Sequence, residues 1–167
     1  MHWKTLVASI FLWCFTYAVD ITQDTVLLSP INLQLGSLHV YPDVYYSIVN
    51  NLLTAITGNL QVDSGGAFYV TATNLLAASA SLTSGTLLNN GDIAFNSTRS
   101  TVVSSYSMIS IGSFVNNGNM WLGTASFSLT PPITLGSATS FTNNGKIYMR
   151  QERGLPSLLS ITNTLGT

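Results

Sequence analysis

The chain runs to 167 residues with a formal net charge of −1, and only 7% of its side chains are charged. So weak a field argues against nucleic acid or an anionic membrane surface as a partner, and the single cysteine, Cys14, excludes an intrachain disulfide. Ser, Thr and Asn supply about a third of the residues beside many β-branched and aromatic ones, a mixture that favours strands and turns over helices.

Met1-His2-Trp3-Lys4 gives a short basic start, Thr5 to Phe15 an almost unbroken apolar run, and Thr16 and Ala18 small residues beyond it. That order is the plan of a secretory signal peptide, so cleavage is expected after Ala18, with Val19 as the new amino terminus and Cys14 removed. The run is short for a bilayer and no charged stop-transfer flank follows, so no membrane span is expected after cleavage. From Ile21 to Val40 apolar and polar residues alternate loosely, which predicts strands that begin the fold, with turns at Ser29-Pro30 and Gly36-Ser37. Tyr41 to Thr57 gives mixed signals. Pro42-Asp43 suits a helix start, whereas Tyr45, Tyr46, Ile48 and Val49 favour a strand, and strand is the expectation.

The strongest pattern follows. Shifted by 27 residues, Leu87-Leu88-Asn89-Asn90-Gly91-Asp92-Ile93-Ala94-Phe95 falls on Phe114-Val115-Asn116-Asn117-Gly118-Asn119-Met120-Trp121-Leu122, and then on Phe141-Thr142-Asn143-Asn144-Gly145-Lys146-Ile147-Tyr148-Met149. A weaker relative, Gln61 to Val70, fits if its coil is about two residues shorter. One unit holds an apolar strand, a glycine turn, a second apolar strand and a Ser/Thr-rich return with no helical pattern. This predicts an all-β, right-handed parallel β-helix, a solenoid with coils of about 27 residues stacked at about 4.8 Å and incomplete at its carboxyl end. The expected plan is a signal at 1–18 and a partial solenoid over 19–167, with coil turns at 64–66, 89–91, 116–118 and 143–145. Leu87, Phe114 and Phe141 should form one inward column, Ile93, Met120 and Ile147 a second, and Phe95, Leu122 and Met149 a third. Asp92, Asn119 and Lys146 should form an outward ladder. In the corners, Asn89, Asn90, Gly91 and their counterparts Asn116, Asn117, Gly118 and Asn143, Asn144, Gly145 are expected as structural devices. Asn and Gly accept positive φ at low cost, and side-chain amides can bond from coil to coil.

Catalytic chemistry is hard to find. Asp63 and Asp92 fall in different columns and read as separate surface residues, and His39 alternates with Leu38 and Val40 as a solvated strand histidine. No nucleophile elbow and no clustered metal ligands occur, so neither catalysis nor a cofactor is expected. Arg150, Glu152 and Arg153 form the one charge cluster, read first as a solvated loop and second as a partner site. Trp121 and Tyr148 share an outward column beside Ala94, suited either to holding sugar rings or to packing beneath a loop. Asn96-Ser97-Thr98 is an N-glycosylation sequon, placed where the chain should leave a strand for a turn.

The segments Ile21-Thr22-Gln23-Asp24-Thr25-Val26, Leu35-Gly36-Ser37-Leu38-His39-Val40 and Val44 to Asn51, then Asp63-Ser64-Gly65-Gly66-Ala67-Phe68-Tyr69-Val70 and the three Asn-Asn-Gly turns, resemble the hyphally regulated cell-wall protein amino-terminal domain of yeasts. The resemblance implies an adhesin-like β-helical head, presented in the fungal cell wall on a Ser/Thr-rich stalk with a glycosylphosphatidylinositol anchor. It carries no catalytic residues over. It implies cell-wall polysaccharide or ligands on host or neighbouring cells as partners; the alternative is a polysaccharide-binding or polysaccharide-degrading β-helix. The chain stops about three residues short of the next Asn-Asn-Gly on the repeat, without stalk or anchor signal, so a truncated member is the expectation.

Overall fold

The computed structural model describes residues 17–28, 32–50, 53–72, 79–83, 85–97, 105–124, 133–151 and 159–163. The signal-peptide reading of residues 1–16 lies outside them, as do Ser29-Pro30, Thr98, Glu152 and Arg153. Among the described residues there are eighteen strands and no helix, so the all-β parallel solenoid expected from the repeat is the fold. The first sheet stacks β1 (Val19–Ile21), β4 (Leu38–Val40), β7 (Leu60–Val62), β10 (Leu87–Asn89), β13 (Ser113–Asn116) and β16 (Ser140–Asn143). The second stacks β2 (Thr25–Leu28), β5 (Tyr45–Val49), β8 (Ala67–Thr71), β11 (Asp92–Ser97), β14 (Asn119–Thr124) and β17 (Lys146–Gln151). The third stacks β3 (Asn32–Leu35), β6 (Leu53–Ile56), β9 (Ser79–Leu82), β12 (Ser105–Ser110), β15 (Ile133–Ser137) and β18 (Leu159–Asn163). Every pairing is parallel, and each coil contributes one strand to each sheet.

Two features refine the sequence reading. The Ser/Thr-rich return contains a third strand, whose inward Tyr106, Met108, Ile133 and Leu135 are buried; its alternation is blurred because Ser110 and Ser137 are buried as well and Ile109 is exposed. Coil length also changes along the stack. In the first sheet Leu60, Leu87, Phe114 and Phe141 pair at steps of 27, but Val19 pairs with Leu38 and Leu38 with Leu60. The early coils are thus shorter, which hid them from a search at the longer period. The extra length enters mainly between the second and third sheets, where the connection grows from 50–52 to 72–78 and 98–104.

Side chains stack in columns through the interior. Leu38, Leu60, Leu87 and Phe114 are buried in the first sheet, with the Phe114 and Phe141 rings stacked at 4.5 Å. Phe68, Ile93 and Met120, and beside them Val70, Phe95 and Leu122, do the same in the second. Each such side chain contributes about 1.5–3 kcal/mol by leaving water. One inward column changes chemistry: Ile21, Val40 and Val62 lead directly into Asn89, Asn116 and Asn143.

Candidate binding face

That amide column forms the inner ladder of the repeated corner. Asn89 Nδ2 donates to Asn116 Oδ1 at 2.7 Å, and Asn116 Nδ2 donates to Asn143 Oδ1 at 2.7 Å. Asn89 and Asn116 are completely buried, so these bonds satisfy groups that would otherwise be orphaned. The second asparagine of each corner faces outward and builds another ladder of opposite polarity: Asn117 Nδ2 donates to Asn90 Oδ1 at 2.8 Å, and Asn144 Nδ2 to Asn117 Oδ1 at 2.9 Å. Backbone bonds continue through the same corner, from Asn119 N to Gly91 O and from Lys146 N to Gly118 O, each at 2.9 Å.

The glycines need correcting. Positive φ was the expected reason for Asn and Gly here, yet among the described residues only Asp43, Asn50, Gly65 and Gly85 adopt it. The repeated corner instead requires Gly because the coils approach so closely: a Cβ on Gly118 would collide with the carbonyl oxygen of Gly91, and one on Gly145 with that of Gly118.

With no side chain on that floor, the corners leave a groove of about 610 Å³ crossing four coils. Asn90, Asn117 and Asn144 line one side and Asp92, Asn119 and Lys146 the other. Asn119 Nδ2 donates to Asp92 Oδ1 at 2.9 Å, so the second wall is cross-linked too. Two residues further along the strands, on the same outward face, stand Trp121 and Tyr148. Their rings are 6.1 Å apart with planes 8° from parallel, and they are 40% and 50% exposed. Packing beneath a loop would have covered them. Polar donors and acceptors, the asparagine amides with Asp92 and Lys146 among them, beside exposed aromatic faces are the chemistry that holds hydroxyl-rich rings, the polar groups meeting hydroxyls and the aromatic faces meeting C–H groups.

Asn96 lies within β11 rather than beyond it, exposed on this same face, while Ser97 is buried. Arg150 is exposed on β17. Val19 opens β1 in register with Leu38, and Ala18 precedes it exposed.

A second cluster occupies the outer face of the first sheet, and sequence reading missed it. His39 Nε2 lies 2.8 Å from Asp63 Oδ2, its Nδ1 lies 4.0 Å from Asp20 Oδ1, and its ring stacks on Tyr41 at 4.1 Å. Gln61 Nε2 donates to the other Asp63 oxygen at 2.8 Å. The bonds from Gln61 and His39 hold the Asp63 carboxyl below its usual range. His39 and Asp63 are therefore partners rather than separate solvated residues. The available signal was the pairing of His39 with Gln61 in a coil of 22, invisible at the 27-residue period. Both imidazole nitrogens face carboxylates of this chain. Among the described residues no three His, Cys, Asp or Glu side chains gather as metal ligands.

The model of the family described as hyphally regulated cell wall protein N-terminal matches residues 9–167. Hyphally regulated cell wall protein 3 of Candida albicans is 40% identical over 82 residues, 47% of this chain and 7% of that protein. Cell wall proteins IFF9 and IFF3 of the same yeast are each 34% identical over 92 residues, 53% of this chain and 10% of each relative. The aligned stretches thus cover a small fraction of those relatives' length. No solved structure matches the chain significantly.

Proposed function

We propose that this chain, which belongs to the hyphally regulated cell wall protein N-terminal family, is a secreted, non-enzymatic, adhesin-like module of the fungal cell wall. It contacts polysaccharide of the wall or of a neighbouring cell through the corner groove and the Trp121–Tyr148 pair. The observation that carries this reading is the exposure of those two parallel rings beside a groove lined by outward asparagine amides together with Asp92 and Lys146. The non-enzymatic reading is supported by the similar proteins, which are named as cell wall proteins. Secretion is supported by the apolar leader and by Val19, which begins the first strand directly after the expected cleavage point.

The test is adsorption of the secreted full chain to insoluble yeast-wall glucan, mannan and chitin, with soluble reducing ends measured in parallel. Binding to at least one polymer with no new reducing ends is expected. Release of reducing ends that stops in Asp63→Asn would make the protein a polysaccharide-degrading β-helix instead. Amino-terminal sequencing should begin at Val19.

A further inference from the structure

The outward column that holds Trp121 and Tyr148 runs back through Ala94 to Tyr69 and Ser47. Ala94 interrupts the aromatic run and leaves a depression bordered by Tyr69 on one side and Trp121 on the other. The backbones bearing those two rings are two coil rises apart, about 9.6 Å, enough for one pyranose ring in contact with both. The neighbouring column, two residues along the strands on the same face, is Thr71, Asn96, Gly123 and Arg150. Asn96 is exposed beside Ala94, and Gly123, its partner in the next coil, places no side chain between Asn96 and Trp121.

Asn96 heads the Asn-Ser-Thr sequon. We propose that it carries an N-linked glycan whose first N-acetylglucosamine fills the depression over Ala94, against Tyr69 and Trp121. In the modification the Asn96 amide nitrogen attacks the anomeric carbon of a lipid-diphosphate-linked oligosaccharide. An N–C bond forms, the C–O bond to the diphosphate breaks with its electron pair, and the amide proton is lost. The glycan then completes the aromatic column and competes with an external sugar for Trp121. The competition rests on the reading of this face as sugar-contacting; the placement of the first sugar does not.

Trp3 and Trp13 precede the expected cleavage point, so Trp121 is the one tryptophan of the secreted chain and its fluorescence reports this site alone. The full chain, secreted from a glycosylating yeast, is compared with Thr98→Ala, which destroys the sequon and keeps Asn96. The native protein is also trimmed by endoglycosidase to a single N-acetylglucosamine, a form that needs no refolding. Mass spectrometry should find Asn96 occupied, and acrylamide should quench Trp121 clearly less in the native and trimmed forms than in Thr98→Ala. An unoccupied Asn96, equal quenching in all three forms, or shielding lost on trimming would overturn the proposal. Adsorption separates the two readings. Normal adsorption by Trp121→Ala removes the binding face while leaving the shielding result intact, and absent shielding with Trp121-dependent adsorption does the reverse.

Discussion

At the corner between the first and second sheets, the early coils turn through Asp43 and Gly65, with φ of 59° and 79°, whereas those at 89–91, 116–118 and 143–145 contain no residue with positive φ. The early corners close by local backbone freedom, helped by the bond from Gly66 N to Asp63 O at 2.9 Å. Both kinds bond by backbone to the coil below, Asp63 N to Val40 O at 3.0 Å in an early corner and Asn117 N to Asn89 O at 2.7 Å in a later one, and the later ones add two side-chain amide ladders. Inside the corner the same difference appears as Val40 and Val62 against Asn89 and Asn116, all fully buried. Valine fills the space and lets the turn decide its own shape. Asparagine fixes each corner on its neighbour through side-chain amide bonds from coil to coil.

The largest expected break is Gly118→Ala. Its Cβ meets backbone that cannot swing away, so a loss of about 3 kcal/mol is expected in urea unfolding. Gly65→Ala should cost less, about 1–2 kcal/mol, because its penalty is the left-handed backbone and its nearest neighbour is the Asp43 side chain. Equal losses would erase the distinction between the two corner types. Next comes Asn116→Val, which removes both rungs of the inner ladder, leaves Asn89 Nδ2 only its bond to Asn119 O and should cost about 1 kcal/mol. The triple replacement of Asn89, Asn116 and Asn143 by Val prolongs the Val40–Val62 column and should cost less than the sum of the single changes; additivity in a mutant cycle would contradict the ladder.

The smallest effect concerns acid. Asp63 has a lowered pKa in the folded chain, so its bonds to Gln61 and His39 stabilise the early coils above the unfolded aspartate value of about 4. That contribution is lost as pH falls through the lower folded value. Asp63→Asn should therefore flatten the acid limb of thermal stability relative to the parent, and an unchanged limb would show that the pair carries no such linkage.

The later coils were legible in the sequence because Asn-Asn-Gly recurs at one period and Leu87, Phe114 and Phe141 mark the same inward position. The early coils were not, since insertions between sheets shift the period while conserving strand register, and a turn such as Asp43 leaves no repeated mark. Trp121 and Tyr148 were readable as neighbours from strand alternation alone. The groove beside them was not readable, because it arises from what glycine lacks, and the reason for that glycine lies in the coil below. His39 and Asp63 escaped for the same cause as the early coils: their proximity depends on a coil length that the repeat did not supply.

Adsorption isotherms of the full chain on insoluble wall polysaccharide, comparing Trp121→Ala with Tyr41→Ala, set the late-coil face against the early-coil one. Tyr41 is exposed and aromatic but stacks on His39 and is not among the residues that line the amide groove. Binding should fall sharply for Trp121→Ala and remain at the parent level for Tyr41→Ala. Equal isotherms for all three proteins, or loss only in Tyr41→Ala, would contradict the assignment of the binding face to the amide corners.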